Sequence, residues 1–185
     1  AREAVRKAVG REDVDVHFLV GGTQANATVI SSILRPHQGV LCATTGHINV
    51  HETGAIEHSG HKVLALGAED GLLSAESVRE AVLLHYAEDG PEHMVQPGMV
   101  YISFSSEVGT IYSLAQLKAI SEVCHEYGLP LFIDGARMGY GLASNGCDVT
   151  LADIAALADV FYLGGTKQGA LFGEAVVIVN DSLKK

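Results

Sequence analysis

Val160-Phe161-Tyr162-Leu163-Gly164-Gly165-Thr166-Lys167-Gln168-Gly169 is an apolar run that breaks into a glycine-rich turn carrying a single lysine. The run has the length and composition of a buried strand, and the turn displays Lys167 at the strand's mouth. A second run, Leu131-Phe132-Ile133, ends in Asp134-Gly135-Ala136-Arg137, which puts Asp134 33 residues before Lys167. After the lysine turn a short loop leads to Ala175-Val176-Val177-Ile178-Val179. That loop has no room for a crossover helix, so the last strand is expected to run antiparallel to the one before it.

Outward from these runs, further strands are expected at 16–20, 40–43, 62–66 and 99–103. Helices are expected over 1–9, 24–34, 51–58, 74–88, 113–127 and 151–158, with a loop at 89–97. Ser74 to Ser77 has the look of a helix start without the full capping box, since position 77 is not Glu or Gln. Strands that alternate with helices and read as continuous apolar runs indicate a mainly parallel sheet covered on both faces. The expected fold class is therefore α/β, a three-layer αβα sandwich with one antiparallel strand. In such sheets ligands bind beyond the carboxyl ends of the strands. Gly21-Gly22-Thr23, Asp134 and Lys167 all follow expected strands.

The 185 residues suffice for one domain or little more, and 48% hydrophobic content supports a folded core. Lys and Arg number 12 against 22 Asp and Glu, a net charge of −10 with His neutral. Without a basic run, that balance argues against nucleic acid or an anionic membrane as partner. No apolar stretch is long enough to span a bilayer. Cys42, Cys124 and Cys147 form neither a CxxC pair nor an even disulfide set, which favours a reducing, cytoplasmic setting. His47 and His51 stand at i, i+4, and His58 and His61 at i, i+3, but position 55 is Ala where an HExxH motif needs His. No metal site is expected. The chain opens without Met inside a helical pattern and closes at a turn, so it reads as a piece of a longer protein.

A carboxylate at one strand end and an amine at another are the two groups needed to hold pyridoxal phosphate. The lysine forms a Schiff base with its aldehyde, and the aspartate pairs with its pyridinium nitrogen. Taken singly, each has an ordinary reading: a solvated lysine in a polar turn, and a helix N-cap after a strand. Their order and spacing together favour the cofactor. Gly21-Gly22-Thr23-Gln24-Ala25-Asn26 is a strand-to-helix turn where backbone N–H groups and the Thr23 hydroxyl suit a phosphate. It lacks the third glycine of a dinucleotide fingerprint and is no Walker A loop; an ordinary βα turn stays open as an alternative.

These segments resemble the fold-type I pyridoxal-phosphate enzymes, in particular the threonine aldolase and β-eliminating lyase family. The likeness runs in order through 21–26, through His-Ile-Asn-Val-His-Glu-Thr-Gly-Ala at 47–55, and through Ser-Ser-Glu-Val-Gly-Thr-Ile-Tyr-Ser-Leu at 105–114. It continues in Phe-Ile-Asp-Gly-Ala-Arg at 132–137 and Gly-Gly-Thr-Lys-Gln-Gly at 164–169. The resemblance implies that Lys167 carries the cofactor and Asp134 binds its ring nitrogen. Gly22, Thr23 and Gln24 would hold the phosphate, with Thr166 a further contact. His47 would stack on the ring and serve as base, with His51 second and Glu52 supporting. Arg137 would lie near the cofactor hydroxyl and bind the substrate carboxylate.

The implied reaction is retro-aldol cleavage of a β-hydroxy-α-amino acid to glycine and an aldehyde, in a homodimer or homotetramer. β-Elimination or transamination on the same scaffold, and a non-catalytic cofactor-binding remnant, are the alternatives. Phe104 and the serines around it depart from the amide side chain expected there. The family's N-terminal segment and C-terminal small domain, which supplies another arginine, have no counterpart in 1–185. The expected domain is thus the cofactor-binding large domain alone.

Overall fold

The structure is a computed structural model that describes residues 1–184. Seven strands form one sheet: β1 (Asp15–Leu19), β2 (Gln38–Ala43), β3 (Val63–Leu66), β4 (Gln96–Ser103), β5 (Leu131–Asp134), β6 (Val160–Gly164) and β7 (Glu174–Ile178). Their order is β1-β7-β6-β5-β4-β2-β3. β2 to β6 pair in parallel, and β7 is antiparallel to both β6 and β1. The single reversed strand is the one expected from the short loop after Lys167.

Eight helices flank the sheet: α1 (Arg2–Val9), α2 (Gly22–Ile33), α3 (His47–Val50), α4 (Ala55–His58), α5 (Ala75–Ala87), α6 (Leu114–Tyr127), α7 (Met138–Leu142) and α8 (Leu151–Leu157). Side chains alternate across a strand, so each strand feeds both faces. Leu41, Val100, Ile102, Ile133 and Phe161 pack into one core with residues of α5, α6 and α8. Val40, Cys42, Tyr101, Phe132 and Tyr162 pack into the other with Ala25, Val29 and Ile30 of α2.

Three local expectations change. The helix expected over 51–58 is reduced to its second half, α4, which starts after Gly54, whose φ of 74° lies in the left-handed region; a separate turn, α3, precedes it at 47–50. Ser74 does form a reciprocal capping box, because the Ser77 hydroxyl accepts from the Ser74 N–H as Glu or Gln would. The short helix α7 follows Arg137 within a stretch too glycine-rich to show helical periodicity.

The exits of β5 and β6 lie so close that only glycine fits. A Cβ on Gly135 would stand 1.8 Å from the Tyr162 carbonyl oxygen, and one on Gly164 would stand 2.6 Å from Ala136 Cα. The Gly164 N–H donates to the Gly135 carbonyl at 3.0 Å. This backbone contact locks the Asp134 segment against the Lys167 turn.

Candidate active site

Six strands, β1 to β6, run the same way, and their carboxyl ends present the groups picked out from the sequence. Asp134 is the last residue of β5 and is only 3% exposed. Strand register sets Ser103 beside it on β4, and Tyr162 follows the Ile133–Phe161 pair on β6. Side-chain alternation then turns Tyr101, Asp134 and Tyr162 to the α2 face, where Asn26 lies wholly buried.

Four donors converge on the Asp134 carboxylate. Oδ1 accepts from the Tyr162 hydroxyl at 2.5 Å and from the Ala136 N–H at 2.9 Å. Oδ2 accepts from the Tyr101 hydroxyl at 2.6 Å and from Asn26 Nδ2 at 3.0 Å. A buried carboxylate is tolerated only when so bonded, and each such bond to a charged group contributes about 1.5–3 kcal/mol. Both phenols are held protonated well above the usual tyrosine range, first by burial and then by the neighbouring Asp134 charge.

Asn26 also reaches a second buried carboxylate. Its Nδ2 donates to Glu52 Oε1 at 2.6 Å, and His47 Nδ1 lies 2.8 Å from the same oxygen. Oε1 already accepts from the amide, so the imidazole Nδ1 carries the hydrogen and donates. Nε2 is then the basic nitrogen. Glu52 Oε2 and Asn26 Oδ1 are buried with no partner among the described residues. His51 is exposed, and its ring centroid is 5.5 Å from that of His47.

Lys167 sits in a 3-10 turn, Thr166–Gln168, with an exposed side chain that has no hydrogen bond or ion pair among the described residues. Its carbonyl accepts from the Tyr140 hydroxyl at 2.6 Å, and Gln168 Nε2 donates to the Gly164 carbonyl at 2.6 Å. The turn is thus fixed while the amine is free. The Thr166 hydroxyl donates to Glu174 Oε1 at 2.9 Å, and Glu174 Oε2 accepts from the Gly165 N–H, so Thr166 braces the turn. Arg137 is half-buried at the start of α7, with no side-chain hydrogen bond or ion pair among the described residues.

The 12-residue α2 begins at Gly21 with no side-chain cap and no acidic residue in its first turn, so its amide groups suit an anion. Thr23 is exposed there, whereas Gln24 turns back to accept from the Val20 N–H through Oε1 at 2.9 Å. A Cβ on Gly22 would stand 3.1 Å from the Tyr162 hydroxyl, which ties this turn to the Asp134 site. Near Phe104, which is fully buried, Ser103 Oγ donates to Glu107 Oε1 at 2.6 Å. No cluster of three or more metal-ligating side chains occurs among the described residues.

Tyr101, Tyr162 and Asn26 were not among the sequence-derived candidates. The available signal was a tyrosine within each apolar strand, since a buried hydroxyl needs a partner.

The architecture is that of the aspartate aminotransferase-like, pyridoxal-phosphate enzyme fold. Thermus thermophilus aspartate aminotransferase superposes with a TM-score of 0.75 over 99% of this chain and 47% of its own, at 17% identity, a likeness of fold alone. The chain belongs to the beta-eliminating lyase family, whose profile matches residues 1–185. It is 38% identical over 173 residues, 92% of the chain, to the low specificity L-threonine aldolase of Pseudomonas sp. (strain NCIMB 10558), covering 49% of that protein. The structure of Leishmania major threonine aldolase matches with a TM-score of 0.94 at 48% identity, over 99% of this chain and 52% of that one. The chain spans about half the length of the curated relatives it matches most fully.

Proposed function

We propose that this chain is the pyridoxal-phosphate-binding large domain of a threonine aldolase-type lyase, cleaving the Cα–Cβ bond of a β-hydroxy-α-amino acid. The observation that carries this reading is the buried, fourfold hydrogen-bonded Asp134 at the same carboxyl end of the sheet as Lys167, whose amine has no partner among the described residues. The donor set suits the cofactor: a fixed anion for the ring nitrogen, a free amine for the aldehyde, and an uncapped helix start for the phosphate. When bound, pyridoxal phosphate supplies an electron sink for the pair left by bond cleavage.

Lys167 is the amine that would hold the cofactor through its aldehyde carbon. Asp134 keeps the ring nitrogen protonated. The first amides of α2 around Gly22 and Thr23 bind the phosphate, with Gln24 holding the preceding turn and Thr166 the turn on the other side. Arg137, with its side chain uncommitted, binds the substrate carboxylate. His47 takes the β-hydroxyl proton at Nε2, and Glu52 fixes its tautomer through Nδ1. His51 is the second candidate base.

An exposed apolar patch supports self-association as a homodimer or homotetramer. Phe18, Val20, Leu171 and Phe172 are exposed, and the bond from Gly173 N–H to the Val20 carbonyl brings their two segments together. Sedimentation at micromolar concentration is expected to give an assembly, and a monomer alone would contradict it. No helix among the described residues is long and apolar enough to cross a membrane, and all three cysteines are free thiols, which suits the cytoplasm. The activity test is formation of glycine and acetaldehyde from threonine with added pyridoxal phosphate. Loss of both products in Lys167→Ala is expected; products other than these would point to another reaction on the same scaffold.

A further inference from the structure

Every lone-pair direction of Asp134 is already taken by a donor of this chain: two phenols, one backbone amide and Asn26. A protonated ring nitrogen cannot reach the carboxylate unless one of them yields. The Ala136 N–H is fixed by the backbone. Tyr101 and Tyr162 make the two shortest bonds from rings packed in the core, so their withdrawal would disturb that packing. Asn26 makes the longest bond, 3.0 Å, and already holds a second acceptor, Glu52 Oε1, at 2.6 Å. Its own Oδ1 has no partner among the described residues, where only the two carboxylates hold the amide in its present rotation. Glu52 Oε2, on the carboxylate that Asn26 already reaches, is a buried acceptor with no partner among the described residues.

We propose that Asn26 is a positioning residue, an exchangeable donor that yields Asp134 to the ring nitrogen and moves fully onto Glu52, coupling the cofactor seat to His47. The inference rests on the pyridoxal-phosphate reading above. It accounts for two unpartnered buried atoms that the reaction scheme does not use. It also makes Asn26 a competitor of the cofactor at Asp134, which a merely structural asparagine would not be.

The test combines two readouts. The first is an absorbance titration with pyridoxal phosphate in a Lys167→Ala background, which measures the noncovalent seat. The second is the NMR titration of His47 in the apoprotein, where Glu52 and the ring of His51 are the titratable groups that face it. Asn26→Leu, similar in shape but without the amide, is expected to bind the cofactor about three- to tenfold more tightly, the scale of one competing hydrogen bond. It is also expected to move the His47 titration upward, since Glu52 loses a donor and holds the imidazolium better. Unchanged or weaker cofactor binding, or an unmoved His47, would overturn the proposal. If Asn26→Leu does not fold, Asn26→Ser, whose one hydroxyl proton serves only one carboxylate, must show both shifts at smaller size. No binding even with Lys167 and Asn26 both intact would remove the pyridoxal reading itself, and the proposal with it.

Discussion

Asp134 and Lys167 stand at the ends of adjacent strands, locked together by the glycine contact beneath them, and they are built in opposite ways. Asp134 is buried, and all of its acceptor capacity is used by the chain's own donors. Lys167 is exposed, with a braced backbone and an amine bonded to nothing among the described residues. A group that binds by charge must be oriented before the ligand arrives, so its surroundings are preorganised. A group that forms and breaks a covalent bond must stay mobile. On the proposed reading the difference teaches that stability and chemistry are separable at this site: Asp134 would serve both, and Lys167 chemistry alone.

The sharpest way to break that contrast is paired truncation. Asp134→Ala leaves two buried phenols and the Ala136 N–H without their acceptor and is expected to cost about 3–5 kcal/mol in denaturant unfolding, with loss of cofactor binding. Lys167→Ala is expected to stay within about 0.5 kcal/mol of the parent while abolishing turnover. Equal destabilisation by both would end the distinction. Next in size, Gly135→Ala forces a Cβ to 1.8 Å from the Tyr162 carbonyl and is expected to cost on the order of 3 kcal/mol by strain, with the melting temperature as readout.

The phenols sharpen the comparison by pH. Tyr101 and Tyr162 have folded-state pKa values raised by burial above the unfolded value of about 10. Their contribution to stability is therefore complete below pH 10 and is lost as pH rises beyond it, because the unfolded chain releases protons that the folded one retains. Each tyrosine should steepen the alkaline loss by about 1.4 kcal/mol per pH unit, and Tyr101→Phe should remove one such increment. Smallest in stability terms, Thr23→Ala at the exposed start of α2 should unfold within about 0.5 kcal/mol of the parent. It should still weaken pyridoxal phosphate binding roughly tenfold by equilibrium titration.

Much of this was legible in the sequence, for identifiable reasons. Strand-to-turn transitions at Asp134 and Lys167 are local signals, and the short loop before β7 gave its direction. Asn26, Tyr101 and Tyr162 were not legible, because strand register and helix packing, not spacing along the chain, bring them to Asp134. The helix expected at 51–58 starts four residues late, at Ala55, because the left-handed Gly54 sets its beginning, and the turn α3 at 47–50 is too short to show periodicity. The reciprocal cap at Ser74 was missed because it uses a serine where the pattern expects a longer acid or amide. Thr166 was expected at the cofactor from its place beside the lysine; its hydroxyl is bonded to Glu174, a partner eight residues away across the β6–β7 connection.

The most direct test of the central claim is to load the protein with pyridoxal phosphate, reduce it with borohydride, digest it and locate the modified lysine by mass spectrometry. The account predicts a single pyridoxyl group on Lys167, absent in Lys167→Ala. Modification at Lys7, Lys62 or Lys118 in its place, or no stable adduct at saturating cofactor, would contradict it.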